Sequence, residues 1–245
     1  MNETEAYTRL AGVYDEIVVD PCYPFWADFL DEILSGSDPA VESVLDVCCG
    51  TGLMAAQLVQ RGYQVLGVDS SVAMLQRARQ VLGPEGQLVE ATLPDLGTDQ
   101  LFDAAISTFD GLNYLTPHDF RMSIAAIAAH LRPGGWFIFD LHTDAMMRFT
   151  AANPVVAGEA DGNEFLIRSD VDVASRTCDT SIEVLRTHTG EPFTERHRQY
   201  FHSAARVHSD LFDAGFTDVV VNDEYTVRPA GPDTLRATWI ARRAP

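Results

Sequence analysis

The segment Val44 to Gly52 reads Val-Leu-Asp-Val-Cys-Cys-Gly-Thr-Gly, and it constrains the fold more than any other part of the chain. A short apolar, β-branched run ends in a glycine-rich turn and passes at once into a helical pattern, Leu53 to Gln60, which reads as strand, tight loop, helix. Gly50 and Gly52 have no Cβ and take positive φ at little cost, so the backbone turns sharply there and a ligand can lie against it near the helix N-terminus. About twenty residues further on, a second apolar run, Val65 to Val68, ends at Asp69, where a carboxylate accepts the hydroxyls of a ribose. Two such strand ends describe a nucleotide-type cofactor site in an α/β sheet.

Gly50-Thr51-Gly52-Leu53-Met54-Ala55 also fits the loose dinucleotide fingerprint. Asp46 shifts the balance, because it lies inside the end of the first strand, where a carboxylate suits a cofactor carrying an ammonium group rather than a pyrophosphate. On these residues the chain resembles the class I S-adenosylmethionine-dependent methyltransferases, whose first motif runs Asp-x-Gly-x-Gly-x-Gly. Asp46, Gly50 and Gly52 match it, and Cys48 stands where the first glycine usually is. The resemblance implies S-adenosyl-L-methionine as cofactor, with Asp46, Cys48, Gly50, Gly52 and Asp69 in its site.

Bulk properties bound the remaining choices. A chain of 245 residues is long enough for one α/β domain with a modest insertion. With 36 acidic against 17 basic residues and a formal charge of −19, the surface repels phosphate backbones, and Arg196-His197-Arg198 is too short to track a nucleic acid. Cys22, Cys48, Cys49 and Cys178 show no metal-ligand spacing, so no metal is expected. There is no basic-then-apolar leader at Met1 to Leu10, and no apolar stretch approaches the ~20 residues that span a bilayer. The expectation is a cytoplasmic protein, monomer or homodimer, with neither nucleic acid nor membrane as partner.

The rest of the chain extends the resemblance. Tyr7, Leu10, Ala11, Tyr14 and Ile17 have helical spacing over Glu5 to Asp20, and a second helical pattern runs from Phe25 to Gly36. Small-molecule methyltransferases begin with a similar Tyr-x-x-x-Ala-x-x-Tyr-Asp segment, matched by Tyr7, Ala11, Tyr14 and Asp15, which implies a helical lid over residues 1–36. After Asp69, the run Ser70-Ser71-Val72-Ala73-Met74-Leu75 resembles the family's Ser-x-x-Met-Leu and implies Ser70 and Met74 near the adenosine. Thr92 stands where relatives carry an aspartate for the adenine amino group, so that contact falls to its hydroxyl or to the Leu93 backbone, or is lost.

Thr108-Phe109-Asp110-Gly111-Leu112-Asn113-Tyr114-Leu115 follows the fourth strand, Phe102 to Ser107, and is similar to the Phe-Asp-Ser-Leu-Asn-Tyr-Leu loop of small-molecule methyltransferases. Ligands bind beyond the carboxyl ends of strands in a parallel sheet, so this loop, with Thr108, Phe109 and Asp110, is expected against the reacting centre. His142 ends the fifth strand, Trp136 to Leu141, after a helix that Pro133-Gly134-Gly135 stops; it is either a helix cap or surface histidine, or a general base or hydrogen-bonding partner of the acceptor. From Gly162 to Ser203 the period becomes alternating, which reads as an antiparallel insertion of about three strands with a turn at His188 to Pro192. A charged alternate strand such as Thr194 to Phe201 is ordinarily a solvated face; the alternative is a roof over the acceptor pocket, to which His197 contributes.

The expected fold is therefore a Rossmann-like, seven-stranded, mostly parallel sheet with helices on both faces, in a single domain over 1–245. An N-terminal helical lid covers 1–36, a β insertion covers about 162–203, and a hairpin of Asp218 to Val221 with Leu235 to Ala241 ends the chain. The expected activity is methyl transfer from S-adenosyl-L-methionine to N or O of a small-molecule acceptor such as an amine or amino sugar. Tyr14, Asp110, His142 and His197 are the candidate catalytic residues. A protein that binds this cofactor without transferring methyl, or a nucleotide-dependent oxidoreductase, are the alternatives.

Overall fold

The strands nearest the middle of the chain are apolar at consecutive positions, as fits strands covered on both faces. The computed structural model describes residues 3–4, 6–17, 22–187 and 190–245. In chain order, β1 (Glu3–Thr4), a 3-10 turn at Leu10–Gly12 and α1 (Tyr14–Ile17) precede α2 (Tyr23–Ser35). Next come β2 (Ser43–Val47), α3 (Leu53–Gln60), β3 (Gln64–Asp69), α4 (Val72–Leu82), β4 (Gln87–Glu90) and β5 (Phe102–Ser107). A 3-10 turn at Gly111–Tyr114 leads to α5 (Pro117–Ala129), β6 (Leu131–His142) and α6 (Asp144–Ala152). Four strands follow, β7 (Val155–Ala160), β8 (Asn163–Asp172), β9 (Thr177–Arg186) and β10 (Phe193–Tyr200), then α7 (Ala204–Asp213), β11 (Phe216–Asp223) and β12 (Arg236–Arg243).

The main sheet has seven strands in the order β11-β12-β6-β5-β2-β3-β4, in which β12 runs antiparallel to both its neighbours and the pairs from β6 to β4 are parallel. This is the Rossmann-like arrangement expected from the sequence. Successive residues of a strand face opposite sides. Val44, Ala104, Ile106 and Ile138 therefore pack against Leu30, Leu34, Met54 and Leu58 of α2 and α3. Leu45, Val47, Phe137 and Phe139 pack on the other side with Ile124, Ile127 and Leu211 of α5 and α7. Each such side chain removed from water contributes roughly 1.5–3 kcal/mol.

Local signals fix the helix ends. The Ser71 hydroxyl accepts the Met74 amide at 3.2 Å to start α4. Thr116 accepts the Asp119 amide at 3.2 Å, with Pro117 next to it, to start α5. Because β2, β3 and β5 are parallel and in register, Asp46, Asp69 and Ser107 come to the same carboxyl-end rim.

Three expectations need correction. The N-terminal segment is not one helix: among its described residues only Leu10–Gly12 and Tyr14–Ile17 are helical, and Tyr7 takes φ +60°. The cause is tertiary, since the amides of Tyr7, Arg9 and Leu10 donate to the Glu195 carboxylate and not to a helical ladder. Pro133-Gly134-Gly135 does not stop the helix, which ends at Ala129; it lies inside β6, where the pairing with β5 shifts register.

The insertion begins at Val155, earlier than residue 162, and α6 separates it from β6. It forms a five-stranded sheet, β1-β10-β9-β8-β7, in which the N-terminal β1 pairs in parallel with β10. Of the turn expected at His188 to Pro192, His188 and Thr189 lie outside the described residues.

Candidate functional site

After β2 the backbone turns through left-handed φ at Cys48 (+58°), Gly50 (+54°) and Gly52 (+78°). Cys48 thus adopts the left-handed conformation that glycine takes freely, at a cost of the order of 1–3 kcal/mol for a non-glycine residue. Gly52 is also needed for space, because a Cβ there would come within 3.0 Å of the Ala78 Cβ on α4. The turn points the Gly50 amide at Asp69, whose Oδ2 accepts it at 2.9 Å while Oδ1 accepts the Ser71 amide at 2.8 Å. Burial nonetheless holds the Asp69 carboxyl above its ordinary value, against the pull of these amides. Each oxygen keeps a lone pair, so a pair of ribose hydroxyls can still donate to it.

Asp46 is 1 % exposed, and neither carboxylate oxygen has a hydrogen-bond partner in the protein. Burial, and then the negative charge of Asp69, push its pKa up to about 8. A buried carboxyl without a partner is costly unless a cation compensates it. The ammonium of an amino acid moiety is such a cation, and S-adenosylmethionine carries one. The Asp69 carboxylate beside the Asp46 orphan therefore fits the ribose and methionyl ends of that molecule.

A cavity of about 660 Å³ lies over this turn. Cys48, Cys49, Gly50, Thr51 and Met54 line one side, Asp69 to Met74 and Thr92 another. Thr108, Phe109, Gly111 and Tyr114 come from the loop after β5, and Ala6, Tyr7, Thr8 and Tyr14 from the N-terminal segment. Nine of the residues expected in the site from sequence therefore line it: Tyr14, Cys48, Gly50, Asp69, Ser70, Met74, Thr92, Thr108 and Phe109. Asp46 and Gly52 lie behind the wall they shape, and Leu93 packs against the apolar core instead. Tyr7, Tyr14 and Tyr114 are phenols whose pKa values burial pushes well up, so they present neutral hydroxyls.

The other three candidate catalytic residues are not in the cavity wall. Asp110 is turned away, accepting from Gln199 Nε2 at 2.6 Å and from Arg236 at 2.8 Å, with His142 Nε2 at 3.4 Å. Its own amide and that of Phe109 donate to Asp140, at 2.6 and 2.8 Å, and Tyr225 donates to the same carboxylate at 2.7 Å. Arg236, over the rings of Trp26 and Phe109, pairs with Asp110 at 2.8 Å and lies 3.8 Å from Asp140, so one positive charge is shared by the two carboxylates. The cluster fixes the loop's two left-handed residues, Phe109 (φ +61°) and Asp110 (φ +50°). His142 lines a separate cavity of about 480 Å³ with His202 and His208. His197 is 4 % exposed and lies behind Tyr114, its Nδ1 3.0 Å from that phenol.

Several members of the arrangement were not singled out from sequence as site residues: Tyr114, Asp140, Glu195 and Arg236. Glu195 and His197 alternate with Phe193 on the buried face of β10, so this charged strand is not a solvated face. The signal was present in the period-two spacing of Phe193, Glu195 and His197, all on one side of a strand.

Comparison with known proteins agrees with this geometry. Residues 44–135 match the family model described as "Methyltransferase domain". The chain is 26 % identical over 244 residues to the putative methyltransferase YqeM of Bacillus subtilis, covering 97 % of each. It is 29 % identical over 133 residues to the dTDP-3-amino-3,4,6-trideoxy-alpha-D-glucopyranose N,N-dimethyltransferase of Streptomyces venezuelae, covering 53 % of this chain and 56 % of that one. Among solved structures, an S-adenosylmethionine-dependent methyltransferase from Clostridium acetobutylicum superposes with a TM-score of 0.84 at 22 % identity, covering 97 % of this chain and 98 % of that one. The S-adenosylmethionine-bound amino pentose methyltransferase CalS10 of Micromonospora echinaspora superposes with a TM-score of 0.74 at 20 % identity, over 100 % of both chains.

The sheet order and the cradle define a class I methyltransferase fold. Residues 44–135 match a methyltransferase domain, and the fold around them is that of the S-adenosylmethionine-dependent methyltransferases.

Proposed function

We propose that the protein transfers a methyl group from S-adenosylmethionine to the nitrogen of a small amine, with an amino sugar as the favoured acceptor class. When bound, the cofactor supplies an electrophilic methyl group on a sulfonium, which the acceptor displaces in line. The protein's part is to hold both reactants in one orientation and to keep water out. Asp69 and Asp46 hold the ribose and methionyl ends. The segment with Tyr7 and Tyr14 covers the cavity, and Thr51 Oγ1 ties it down by donating to Asp15 at 2.6 Å.

The observation that carries the choice of nitrogen is the wall of the cavity. Among its described residues it presents four neutral phenols, Tyr7, Tyr14, Tyr23 and Tyr114, and no histidine, lysine or arginine. A hydroxyl acceptor benefits from a general base in contact with it, whereas an amine needs only to be presented with its lone pair free. Phenol faces also attract the cationic N-methylammonium product. The relatives named for amino-sugar and amino-pentose methylation support the acceptor class.

The test is a screen of aminodeoxy sugars, free and as nucleoside-diphosphate conjugates, against their hydroxyl counterparts and simple phenols, with methyl-labelled cofactor. Label on the nitrogen of an amino sugar is the expected result. Transfer confined to oxygen acceptors, or none at all while the cofactor binds, would overturn the proposal.

A further inference from the structure

An internal chain of hydrogen bonds leads out of the cavity into the insertion sheet. The Tyr7 hydroxyl donates to the Tyr114 hydroxyl at 2.7 Å, and the Tyr114 oxygen is 3.0 Å from His197 Nδ1. Both phenols line the cavity, and His197 does not. On its far side, His197 Nε2 faces Glu195 Oε2 at 3.6 Å and has no hydrogen-bond partner. If the Tyr114 oxygen accepts from Tyr7, its own proton points to His197, so Nδ1 is the acceptor and Nε2 carries the hydrogen. The four groups then share one direction, from cavity to carboxylate.

We propose that this chain is a proton relay in which His197 takes up the proton that an acceptor ammonium must lose before its nitrogen can attack. This rests on the amine reading above. The N–H bond of the ammonium breaks and its proton passes to the Tyr7 oxygen. Tyr7 passes its own proton to Tyr114, and Tyr114 passes its own to Nδ1, where a new N–H bond forms. Both phenols end as they began, the acceptor is neutral with a free lone pair, and one positive charge has moved to the imidazole.

Glu195 is what makes that charge tolerable. Its carboxyl is fully buried, and burial alone would raise its pKa. The facing His197 ring and the amides of Leu10, Arg9 and Tyr7 outweigh burial and hold it below the ordinary carboxylate range. The groups facing His197 are the two phenols, with ring centroids at 4.9 and 5.9 Å, and this carboxylate from its own strand. An ion pair formed there is dry and is therefore little screened. Relaying to a histidine before attack suits an ammonium, which must lose its proton first, whereas an alcohol gives its proton up only as it attacks, to a base in contact with it.

Two measurements test the relay. In nitrogen-15 NMR of the histidine-labelled protein with S-adenosylhomocysteine added, His197 is expected as the Nε2–H tautomer with Nδ1 unprotonated; an Nδ1–H tautomer would overturn the proposal whatever the acceptor is. The second uses an amino sugar that the parent protein methylates. His197→Gln is expected to lower kcat at pH 7 by on the order of 10²-fold or more, and to approach the parent as pH rises past the acceptor's own pKa, where free amine is already present. Tyr114→Phe should show the same profile, and the double variant no further loss, since the residues act as one unit.

A loss of equal size at every pH would mean that His197 only supports the wall and would overturn the relay while leaving the amine reading intact. If His197→Gln does not fold, Tyr114→Phe carries the kinetic test. If the parent methylates no amine, it is the amine reading that fails, and the NMR result still decides whether the chain has the required direction.

Discussion

The Glu195 carboxylate accepts the Tyr7 amide at 2.8 Å across 188 residues of sequence, and by this bond a strand of the insertion holds the segment that covers the cofactor cavity. The Leu10 amide donates to the same carboxylate at 2.9 Å, and the Arg9 amide completes the set. The latch explains why a sequence with helical spacing at Tyr7, Leu10 and Tyr14 does not form one helix there.

Replacing Glu195 by Ala strands three amides, each costing about 1–3 kcal/mol if it stays buried. Partial opening of the segment reduces that sum, so a loss on the order of 3 kcal/mol is expected, with weaker binding of S-adenosylhomocysteine. The carboxyl's pKa is held low in the folded state. Its contribution is therefore present above the unfolded value, about 4.3 for Glu, and is lost as pH falls through the lower folded value. Urea titrations between pH 3 and 7 check this, on the scale of that ordinary pKa. The acid limb should shrink in the variant, and an unchanged limb would show that other carboxyls set it.

Asp46 has the opposite sign. Its folded pKa of about 8 lies above the ordinary aspartate value, so without cofactor it binds a proton that the unfolded chain has released. Stability from this group is complete below pH ~4 and falls as pH rises towards the folded value, by 1.36 kcal/mol per unit at most. Asp46→Asn should flatten that slope and be the more stable protein in mildly alkaline buffer. Cofactor binding should expel the proton. Calorimetry of S-adenosylmethionine at mildly acidic pH, in buffers of different ionisation enthalpy, should show release in the parent and none in the variant. The variant should also lose more affinity for S-adenosylmethionine than for adenosine, which has no ammonium for Asp46 to meet.

What was legible in the sequence was whatever depends on local pattern. Val44 to Val47 and Val65 to Val68 are strands because they are apolar runs bounded by turns, and Gly50, Gly52 and Asp69 fall where strand-end geometry puts them. The seven-stranded, mostly parallel character of the main sheet followed from that alternation and from the family resemblance. What was not legible depends on partners far away in the chain. Nothing local to Asp110 says that Arg236 and Gln199 will claim its carboxylate, so it read as a cavity residue. His197 was read as part of a pocket roof, but its neighbours Tyr114 and Tyr7 lie 83 and about 190 positions away, and only their meeting gives it a direction. The short β1 was invisible for the same reason, since two residues carry no period and pair only because β10 offers an edge.

In the proposed cofactor pose, the ribose meets the same two Asp69 oxygens that accept the Gly50 and Ser71 amides. Asp69→Ala should therefore lose about 1.5–3 kcal/mol of S-adenosylhomocysteine binding, the range for hydrogen bonds to a charged group. Part of the loss will come from the released turn, so adenosine and S-adenosylhomocysteine should weaken together, in contrast to Asp46→Asn. Titration calorimetry of both ligands decides this. Unchanged affinity would place the ribose elsewhere.

The final prediction concerns how tightly the two loops of the cradle are fitted. A Cβ on Gly111 would come 2.7 Å from the Cβ of Cys48 and 3.4 Å from its sulfur, and the first distance is too short for any pair of carbons. Gly111 does not take positive φ, so the obstacle to Gly111→Ala is space alone. The neighbour is the base of a side chain on a left-handed turn, which cannot swing aside without moving the backbone. A cost of about 1–3 kcal/mol is expected, the usual range for overpacking, together with weaker cofactor binding because the Cys48 turn forms the cavity wall. Removing the obstructing atom in Cys48→Gly should restore most of the loss. The double variant should then be more stable than the sum of the single changes, by an interaction energy of roughly 0.5–3 kcal/mol. Denaturant midpoints of the four proteins measure that coupling, and strictly additive effects would show that the two loops do not touch in solution.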